Sequence, residues 1–195
     1  MLLPTLIIAA PSLTMVTLAD AKLHLKVDSW DDDTLITTLI NAAESFLDNY
    51  SGITGRALLY QTWEQKFDAF YARHDLPIGI ASSIVSVKYY DINNVQQTVT
   101  GSTYQLFTDQ LGSYVETAAG MSWPNCYSRT DAVAIQWVAG YGSTAATVPA
   151  AIIVAMKMLV AHWYEFRGVI LTDKRMEQIP MAVIALIEQF RRKKF

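Results

Sequence analysis

The middle of the sequence, residues 59–137, differs in composition from both of its flanks. It is rich in valine, threonine and aromatic residues, and turn-forming residues separate its short apolar runs, a pattern typical of β-strands. Trp63, Gln65 and Phe67 alternate with Thr, Glu, Lys and Asp, which predicts a strand with one wetter face. Because the connections are too short for crossover helices, we expect about five to seven strands in antiparallel pairs.

The N-terminal flank predicts two helices. Thr17 is followed at the third helical position by an acid, which resembles a capping box and marks the start of a short helix. Aspartates 31–33 place negative charge at the positive end of a second helix. The apolar residues of that second helix, with Leu35, Leu39 and Phe46 among them, recur at helical spacing.

The C-terminal flank predicts two more helices, since Pro149 and Pro180 each stand where proline is favoured in a first turn. The order of elements indicates an α+β fold. We expect a helical platform of two N-terminal and two C-terminal helices, with an inserted antiparallel β-rich subdomain. The expected parts of this single domain are an extended arm (1–16), N-terminal helices (17–55), the insertion (56–142), and C-terminal helices with a basic tail (147–195).

The composition suggests that the chain must cover apolar surface. Its 195 residues are 52% hydrophobic and 17% charged, a low charge density for a soluble monomer. Contacts between subunits are an obvious place to hide that surface. With a net charge of −3, the molecule as a whole lacks the positive charge that binds nucleic acid. The single cysteine, Cys126, excludes an internal disulfide.

Two apolar stretches have to be compared with membrane segments. The N-terminal one lacks a basic start and is broken by Pro4 and Pro11. We therefore expect an arm that packs on a neighbouring element and not a signal peptide. Residues 148–161 are apolar except for Lys157 but fall short of the ~20 residues that span a bilayer. They predict a buried helix, and no membrane contact is expected.

The stretch AGYGSTAATVP, residues 139–149, has the strand, glycine loop and helix order of a phosphate site. Gly140 and Gly142 are followed neither by the lysine of a P-loop nor by the third glycine of a dinucleotide-binding loop. Pro149 also removes one of the N–H donors that a helix N-terminus would offer an anion. We expect the loop only to turn the chain from the sheet into the helix.

Other candidate sites lack the partners that their chemistry requires. His162 and Glu165 share one helical face, but no second such pair exists for a di-iron site. The acidic run from Asp28 to Asp33 lacks the glycine and distal glutamate of a calcium loop. No histidine lies at a spacing from Cys126 that would indicate a catalytic pair, and no GxSxG motif occurs. We expect no catalytic residue, no cofactor and no metal, and a protein that is not an enzyme.

The chain ends in four basic residues followed by Phe195. One interpretation is a solvated helix end, where cations complement the helix dipole. The alternatives are docking on an acidic partner or contact with DNA phosphates. An aromatic residue after the charges would suit an anchor in a protein pocket.

A set of motifs runs along the chain in a fixed order. The first comprises Leu18, Ala21, Lys22, His24, Leu25, Val27 and Asp28, and it closes with Tyr50 and TGRAL at residues 54–58. The later motifs are QTWE at 61–64, SWP at 122–124, AGYG at 139–142 and AHWYEFRG at 161–168. Together they resemble the head–tail connectors of tailed phages, the gp6-like adaptors, in the longer branch with a β insertion. Residues 51–53 look like an insertion in this pattern, and Phe166 stands where asparagine is common.

The resemblance implies a structural, non-enzymatic protein of the virion head–tail junction, present in the host cytoplasm before assembly. Such adaptors form a ring, usually a dodecamer, beneath the portal protein and above the stopper or tail-completion protein. DNA passes only transiently through the channel. The alternative from the residues alone is a non-enzymatic soluble binding or regulatory module with a helical platform, which would not recognise a portal.

The expected contact residues follow from this role. For portal contact we expect the last helix and tail, namely Gln189, Phe190, Arg191, Arg192, Lys193, Lys194 and Phe195. For subunit contact we expect the apolar faces of two helices, namely Leu35, Leu39, Phe46, Ile152, Met156 and Leu159. The motif residues themselves are expected to form the fold.

Overall fold

The computed structural model describes residues 4–48, 50–166 and 179–192. The chain divides into two units. Met1–Pro11 with Tyr60–Gly140 form the β-rich unit, and Ser12–Leu59 with Tyr141–Phe195 form the helical unit. The described residues contain four α-helices and two antiparallel sheets, which confirms the predicted α+β class. None of the described helices has the length and apolar character needed to cross a membrane.

The four helices of the helical unit begin at or near the predicted positions. Their bounds are α1 Leu18–Leu25, α2 Asp33–Leu47, α3 Ala150–Glu165 and α4 Met181–Ile187. Thr17 caps α1, because its Oγ1 accepts the Asp20 N–H at 3.1 Å, and Lys26 ends α1 in the left-handed conformation. Pro149 and Pro180 stand immediately before α3 and α4. The last helix is shorter than its apolar sequence predicts, since a 3₁₀ turn replaces it from Glu188 to Phe190.

The core of the helical unit is built from one face of α2 and most of α3. The buried stripe of α2 consists of Ile36, Ile40, Ala43 and Leu47. Leu35, Leu39 and Phe46, which predicted this helix, flank the stripe and are only half-buried. From α3 the core receives Ile152, Ala155, Met156, Leu159 and Val160, and from α4 it receives Val183 and Ile187.

The β-rich unit contains eight strands in two sheets. Their bounds are β1 Leu6–Ala9, β2 Gln61–Phe67, β3 Arg73–Leu76, β4 Ala81–Tyr90, β5 Gln96–Thr98, β6 Tyr104–Thr108, β7 Ser113–Thr117 and β8 Val133–Ala139. One sheet has the order β1-β2-β8-β4-β5 and the other β3-β7-β6. The alternation that predicted β2 is observed: Trp63, Gln65 and Phe67 are buried, whereas the residues between them are half-buried. Trp63 lies directly opposite Trp137 of β8.

The N-terminal arm contributes a strand. β1 pairs antiparallel with β2, with Leu6 opposite Glu64 and Ile7 opposite Trp63. The register shifts between Ile7 and Ala9, so that Ile8 opposes no residue of β2, as in a β-bulge. The arm is therefore an edge strand of the five-stranded sheet.

A buried histidine lies among aromatic side chains in the β-rich unit. His74 of β3 is 1% exposed, and its ring centroid lies 4.6 Å from that of Phe67. Its Nε2 accepts the Tyr71 N–H at 3.0 Å, so the neutral ring carries its hydrogen on Nδ1. Phe70 and Trp123, which stack at 4.7 Å, also face this ring. Burial disfavours the charged imidazolium and lowers the pKa of His74 to about 4.

His74 should make the stability of the chain pH-dependent. The pKa is about 4 in the folded state against an ordinary 6.5, so the unfolded chain binds more protons between these values. Stability should therefore be highest above pH 6.5 and should fall as the pH drops toward 4. The loss is at most about 3 kcal/mol, since one pKa unit corresponds to ~1.4 kcal/mol.

Urea unfolding across this pH range would measure the effect, with His74→Gln as the matched variant. Glutamine keeps an acceptor for the Tyr71 N–H but does not titrate, so the variant should lose the slope. Glu44, whose pKa is raised by burial, acts with the opposite sign in both proteins and cancels in the comparison. Equal slopes in wild type and variant would contradict the assignment.

Candidate interaction surfaces

The acidic turn between α1 and α2 serves contacts inside the helical unit. Lys22 Nζ donates to Asp33 Oδ1 at 2.6 Å and ties α1 to the first turn of α2. Asp32 accepts a hydrogen bond from the hydroxyl of Tyr164 on α3. In the part of the chain that the structure describes, no cluster of three or more His, Cys, Asp or Glu side chains could hold a metal ion. The acidic run therefore stabilises the helix start and its neighbours.

A groove of about 800 Å³ lies along α1. It is lined by Leu18, Ala19, Lys22, Leu23, Lys26, Val27, Asp28 and Asp33. Leu23 is 80% exposed, and Trp30, two residues beyond the groove's Asp28, is 81% exposed. Exposed apolar side chains of this size with charged neighbours are typical of protein contact surfaces. The groove is thus a candidate surface for a protein partner.

The loop that follows α2 closes the end of that helix. Thr54 is buried, and its Oγ1 donates to the carbonyl oxygen of Leu47 at 2.6 Å. Asp48 Oδ1 accepts the Leu58 N–H at 2.8 Å. A Cβ at Gly52 would lie 2.0 Å from the carbonyl oxygen of Asp48, so only glycine fits there. Thr54 and Leu58, which belong to the TGRAL motif at residues 54–58, therefore stabilise the fold together with Asp48 and Gly52.

The C-terminal segment packs on the same loop. The Arg192 N–H donates to the carbonyl oxygen of Thr54 at 2.8 Å. Phe190 is half-buried against the core of the helical unit. Arg191 forms an ion pair with Glu188 at 3.1 Å, and both side chains are largely exposed. The segment is therefore anchored at Phe190 and Arg192 while Arg191 faces solvent.

The residues predicted for portal contact fall into three groups. Gln189 and Arg191 are exposed, and they remain available to a partner. Phe190 and Arg192 are half-buried in contacts within this chain. Lys193, Lys194 and Phe195 lie outside the described residues.

The residues predicted for subunit contact also divide. Leu35, Leu39 and Phe46 keep part of their surface exposed. Ile152, Met156 and Leu159 are 0% exposed, because α3 runs through the core of its own unit. A side chain without exposed surface cannot contact a neighbouring subunit, so these three residues are corrected to core residues.

The other residues considered as candidate sites in the sequence make contacts within the chain or are partly buried. The loop after β8 folds on itself: Thr147 Oγ1 donates to the carbonyl oxygen of Thr144 at 2.6 Å, and a Cβ at Gly142 would lie 2.3 Å from that Oγ1. The His162 ring packs at 5.0 Å from that of Phe166 on the same side of α3. Cys126 is a free, half-buried cysteine.

Sequence reasoning missed the exposed apolar residues of α1 and the strand β1. On α1, Leu18, Ala21 and Leu25 lie at helical spacing and form the packed face. Leu23 does not share that spacing, and this offset is the signal that could have marked it as an outward-facing residue. The sequence of β1 contains no polar residue and so shows no alternation of apolar and polar residues. In the structure all four of its residues are exposed.

The region from the end of the arm to β6 matches a known family. Residues 15–106 fit the family model described as phage gp6-like head-tail connector protein. The match includes α1, α2 and the loop that closes α2. This part of the chain resembles the gp6-like head–tail connector family. The resemblance inferred from the motifs is thereby confirmed for the region that carries most of them.

Solved structures share the fold of nearly the whole chain. A chain from the neck of an empty gene transfer agent (GTA) particle, computed with C6 symmetry, superposes with a TM-score of 0.77 at 21% identity, covering 99% of this chain and 97% of that one. A chain of the native GTA virion gives 0.75 at 22% identity, with the same coverage. A chain from the native GTA neck, computed with C12 symmetry, gives 0.71 at 21% identity. No curated protein sequence matches this chain.

These likenesses extend the fold beyond residue 106, to the parts of the chain that the family model does not reach. The family and the similar structures are components of particles. They support a structural, connector role for this chain.

The loop that closes α2 can be tested through its glycine. Gly52→Ala should destabilise the protein by about 2 kcal/mol, because the added methyl group collides with backbone that cannot move away. Gly101→Ala is the control, since a Cβ at Gly101 meets nothing within 4 Å. Thermal unfolding followed by circular dichroism should show a lower midpoint for Gly52→Ala and an unchanged one for Gly101→Ala. Equal midpoints would contradict the close approach.

Proposed function

We propose that this chain is the head–tail connector, or adaptor, of a tailed phage or of a prophage-derived particle. Its copies form a ring, a dodecamer when assembled, between the portal protein and the stopper or tail-completion protein. DNA passes through the ring without being held. The observation that carries this proposal is the gp6-like match over residues 15–106, joined to a likeness over 99% of the chain to a component of a particle neck.

The charge of the chain supports a channel component. A ring through which DNA slides should not bind phosphates tightly, and affinity for DNA grows with the number of phosphate contacts. The net charge of −3 is in keeping with weak binding. We place the protein at the head–tail junction of the virion, and in the host cytoplasm before assembly.

A non-enzymatic role is part of the proposal. The relatives are structural components of particles. His74, whose pKa is lowered by burial, is surrounded by aromatic rings and accepts a backbone N–H. These surroundings are typical of a core residue. The exposed groove on α1 offers apolar contact area of the kind used for binding proteins.

Contact with the portal is assigned to the C-terminal end. Gln189 and Arg191 are exposed there, and the Arg192 N–H bond to Thr54 fixes the point from which the last three residues continue. Those residues are two lysines and a phenylalanine, which suit an acidic pocket with an apolar base. For subunit contact we retain Leu35, Leu39 and Phe46, and we add the exposed residues Leu23 and Trp30.

Light scattering on the purified chain, alone and mixed with its cognate portal, tests the proposed function. We expect either a ring-sized species or a monomer that the portal captures in fixed stoichiometry. A chain that stays monomeric or dimeric and ignores the portal over a wide concentration range would overturn the proposal and favour a soluble binding module.

A charge reversal in the tail tests the assigned portal contact. Lys194→Glu should weaken binding to the portal about tenfold and reduce its salt dependence, because a charge that faces an acidic partner is reversed. Lys88→Glu is the matched control, because it changes the net charge by the same amount. Lys88 lies half-buried on β4 in the β-rich unit. Equal binding by both variants would move the portal contact away from the tail.

A further inference from the structure

The SWP motif at residues 122–124 has no part in the proposed connector role, and its tryptophan joins two segments of the β-rich unit. Trp123 lies in the loop of residues 118–132, which connects β7 to β8. Its Nε1 donates to the carbonyl oxygen of Tyr71, in the turn before β3, at 2.9 Å. Its indole ring stacks on Phe70 of the same turn, with ring centroids 4.7 Å apart. Trp123 thus attaches the loop to this turn.

His74 holds the same turn through the other backbone group of Tyr71. The Tyr71 N–H donates to His74 Nε2 at 3.0 Å, while the Tyr71 carbonyl oxygen accepts from Trp123. The rings of His74 and Trp123 also pack edge to face, with centroids 5.7 Å apart. Because both hydrogen bonds need one backbone position of Tyr71, a change that moves Tyr71 away from His74 weakens its bond to Trp123 as well.

The hydrogen bonds of His74 leave no place for a second proton on its ring. Nε2 accepts the Tyr71 N–H, so the neutral ring carries its hydrogen on Nδ1. In an imidazolium both nitrogens are donors, and a hydrogen on Nε2 would point at the N–H of Tyr71. Among the residues that the structure describes, the buried Nδ1 has no hydrogen-bond partner. A charged ring therefore does not fit the closed arrangement.

The charges nearest to His74 in the sheet lie on the other face of β3. Arg73 and Asp75 flank His74, and successive side chains of a strand point to opposite faces. On β7, Glu116 stands opposite Arg73, whereas Val115 stands opposite His74. Asp75 favours the charged ring, but burial outweighs this effect and lowers the pKa of His74 to about 4.

Aromatic rings enclose His74 from the other elements. Phe67 of β2 and Trp123 of the loop pack on its ring, and Tyr71 does so from the turn. The carboxyl group of this turn, Asp68, accepts a hydrogen bond from the Tyr71 hydroxyl at 2.7 Å. That bond lowers the pKa of Asp68, so Asp68 loses its charge only at a lower pH than His74 gains one.

Hydrogen bonds at both ends of the loop allow its middle to move while the sheets stay paired. The Ala118 N–H donates to the carbonyl oxygen of Thr103 at 2.8 Å. The Tyr127 N–H donates to the carbonyl oxygen of Tyr90, also at 2.8 Å. Neither bond involves His74 or the turn before β3. The stretch between these two points can therefore leave the turn without breaking a strand.

We propose that His74 is a pH-sensitive latch for the loop of residues 118–132. The neutral ring holds Tyr71 and, through Tyr71, Trp123. Protonation of His74 releases the loop before the chain unfolds, since the ring can take up a proton only after the turn has moved away from Nε2. Opening exposes the stacked faces of Phe70 and Trp123 to solvent. The inference does not depend on the connector function.

Fluorine NMR of the chain labelled with 5-fluorotryptophan tests the latch between neutral pH and pH values below 4. The five tryptophans are assigned with Trp→Phe variants. The Trp123 signal should move to the position of a solvent-exposed ring with its midpoint near pH 4, because the pKa of His74 is about 4. The signal of Trp137, which is 0% exposed on β8 of the same unit, should stay in place over this range.

His74→Gln removes the titrating group. Glutamine keeps an acceptor for the Tyr71 N–H but takes up no proton, so the Trp123 signal should not move in this variant. Movement of the Trp123 signal alike in wild type and His74→Gln would overturn the inference, because acid would then act elsewhere. Joint movement of the Trp123 and Trp137 signals would also overturn it, since the whole unit would then unfold.

Trp123→Phe tests the same coupling in the other direction and does not require the His74 variant to fold. Phenylalanine keeps an aromatic ring but removes the donor to Tyr71, so His74 should take up its proton about fivefold more readily, as expected for the loss of one hydrogen bond. Proton NMR of the His74 ring measures this titration. Trp30→Phe is the matched control, because Trp30 is 81% exposed in the helical unit. A His74 titration that is the same in both variants would contradict the latch.

Discussion

The hydrogen bonds at the end of α2 are the interaction on which the helical unit depends. Thr54 stands at their centre: its side chain donates to the last turn of α2, and its carbonyl oxygen accepts the N–H of Arg192. Leu58 bonds to Asp48 through its N–H and to the Tyr141 N–H through its carbonyl oxygen. The loop after α2 is thus hydrogen-bonded to the end of α2, to Tyr141 and to Arg192. Because Thr54 and Leu58 are buried, a change that leaves one of their polar groups without its partner carries the cost of an unpaired buried group.

This arrangement explains what the chain leaves at its surface. With α3 in the core and the last turn anchored by Arg192, other large apolar side chains remain exposed, among them Leu23 of α1, Met181 of α4 and Ile8 of β1. Exposed apolar surface of this kind suits contact with other proteins, as expected for the connector role that the family match and the similar particle-neck structures support.

Local chemistry allowed much of the fold to be predicted from the sequence. The alternation around Trp63 and Phe67 predicted β2, and Pro149 and Pro180 marked the starts of α3 and α4. Residues 148–161 were correctly predicted to form a buried helix. Whether Ile152 and Met156 meet their own core or a neighbouring subunit could not be predicted, because an apolar helix face has the same pattern in both cases. β1 was missed as a strand because its partner, β2, lies more than fifty residues further along the chain. The contact of His74 with Trp123 could not be predicted for a similar reason, since Trp123 comes from a distant segment of the chain.

The central claim is that this chain is a ring component between head and tail. Electron cryomicroscopy of the neck of particles that carry the gene for this chain tests it most directly. The account predicts a ring of copies between the portal and the next neck protein, with the C-terminal end toward the portal and the channel open to DNA. A neck whose ring is built from another protein, in particles from which this chain is absent, would contradict it.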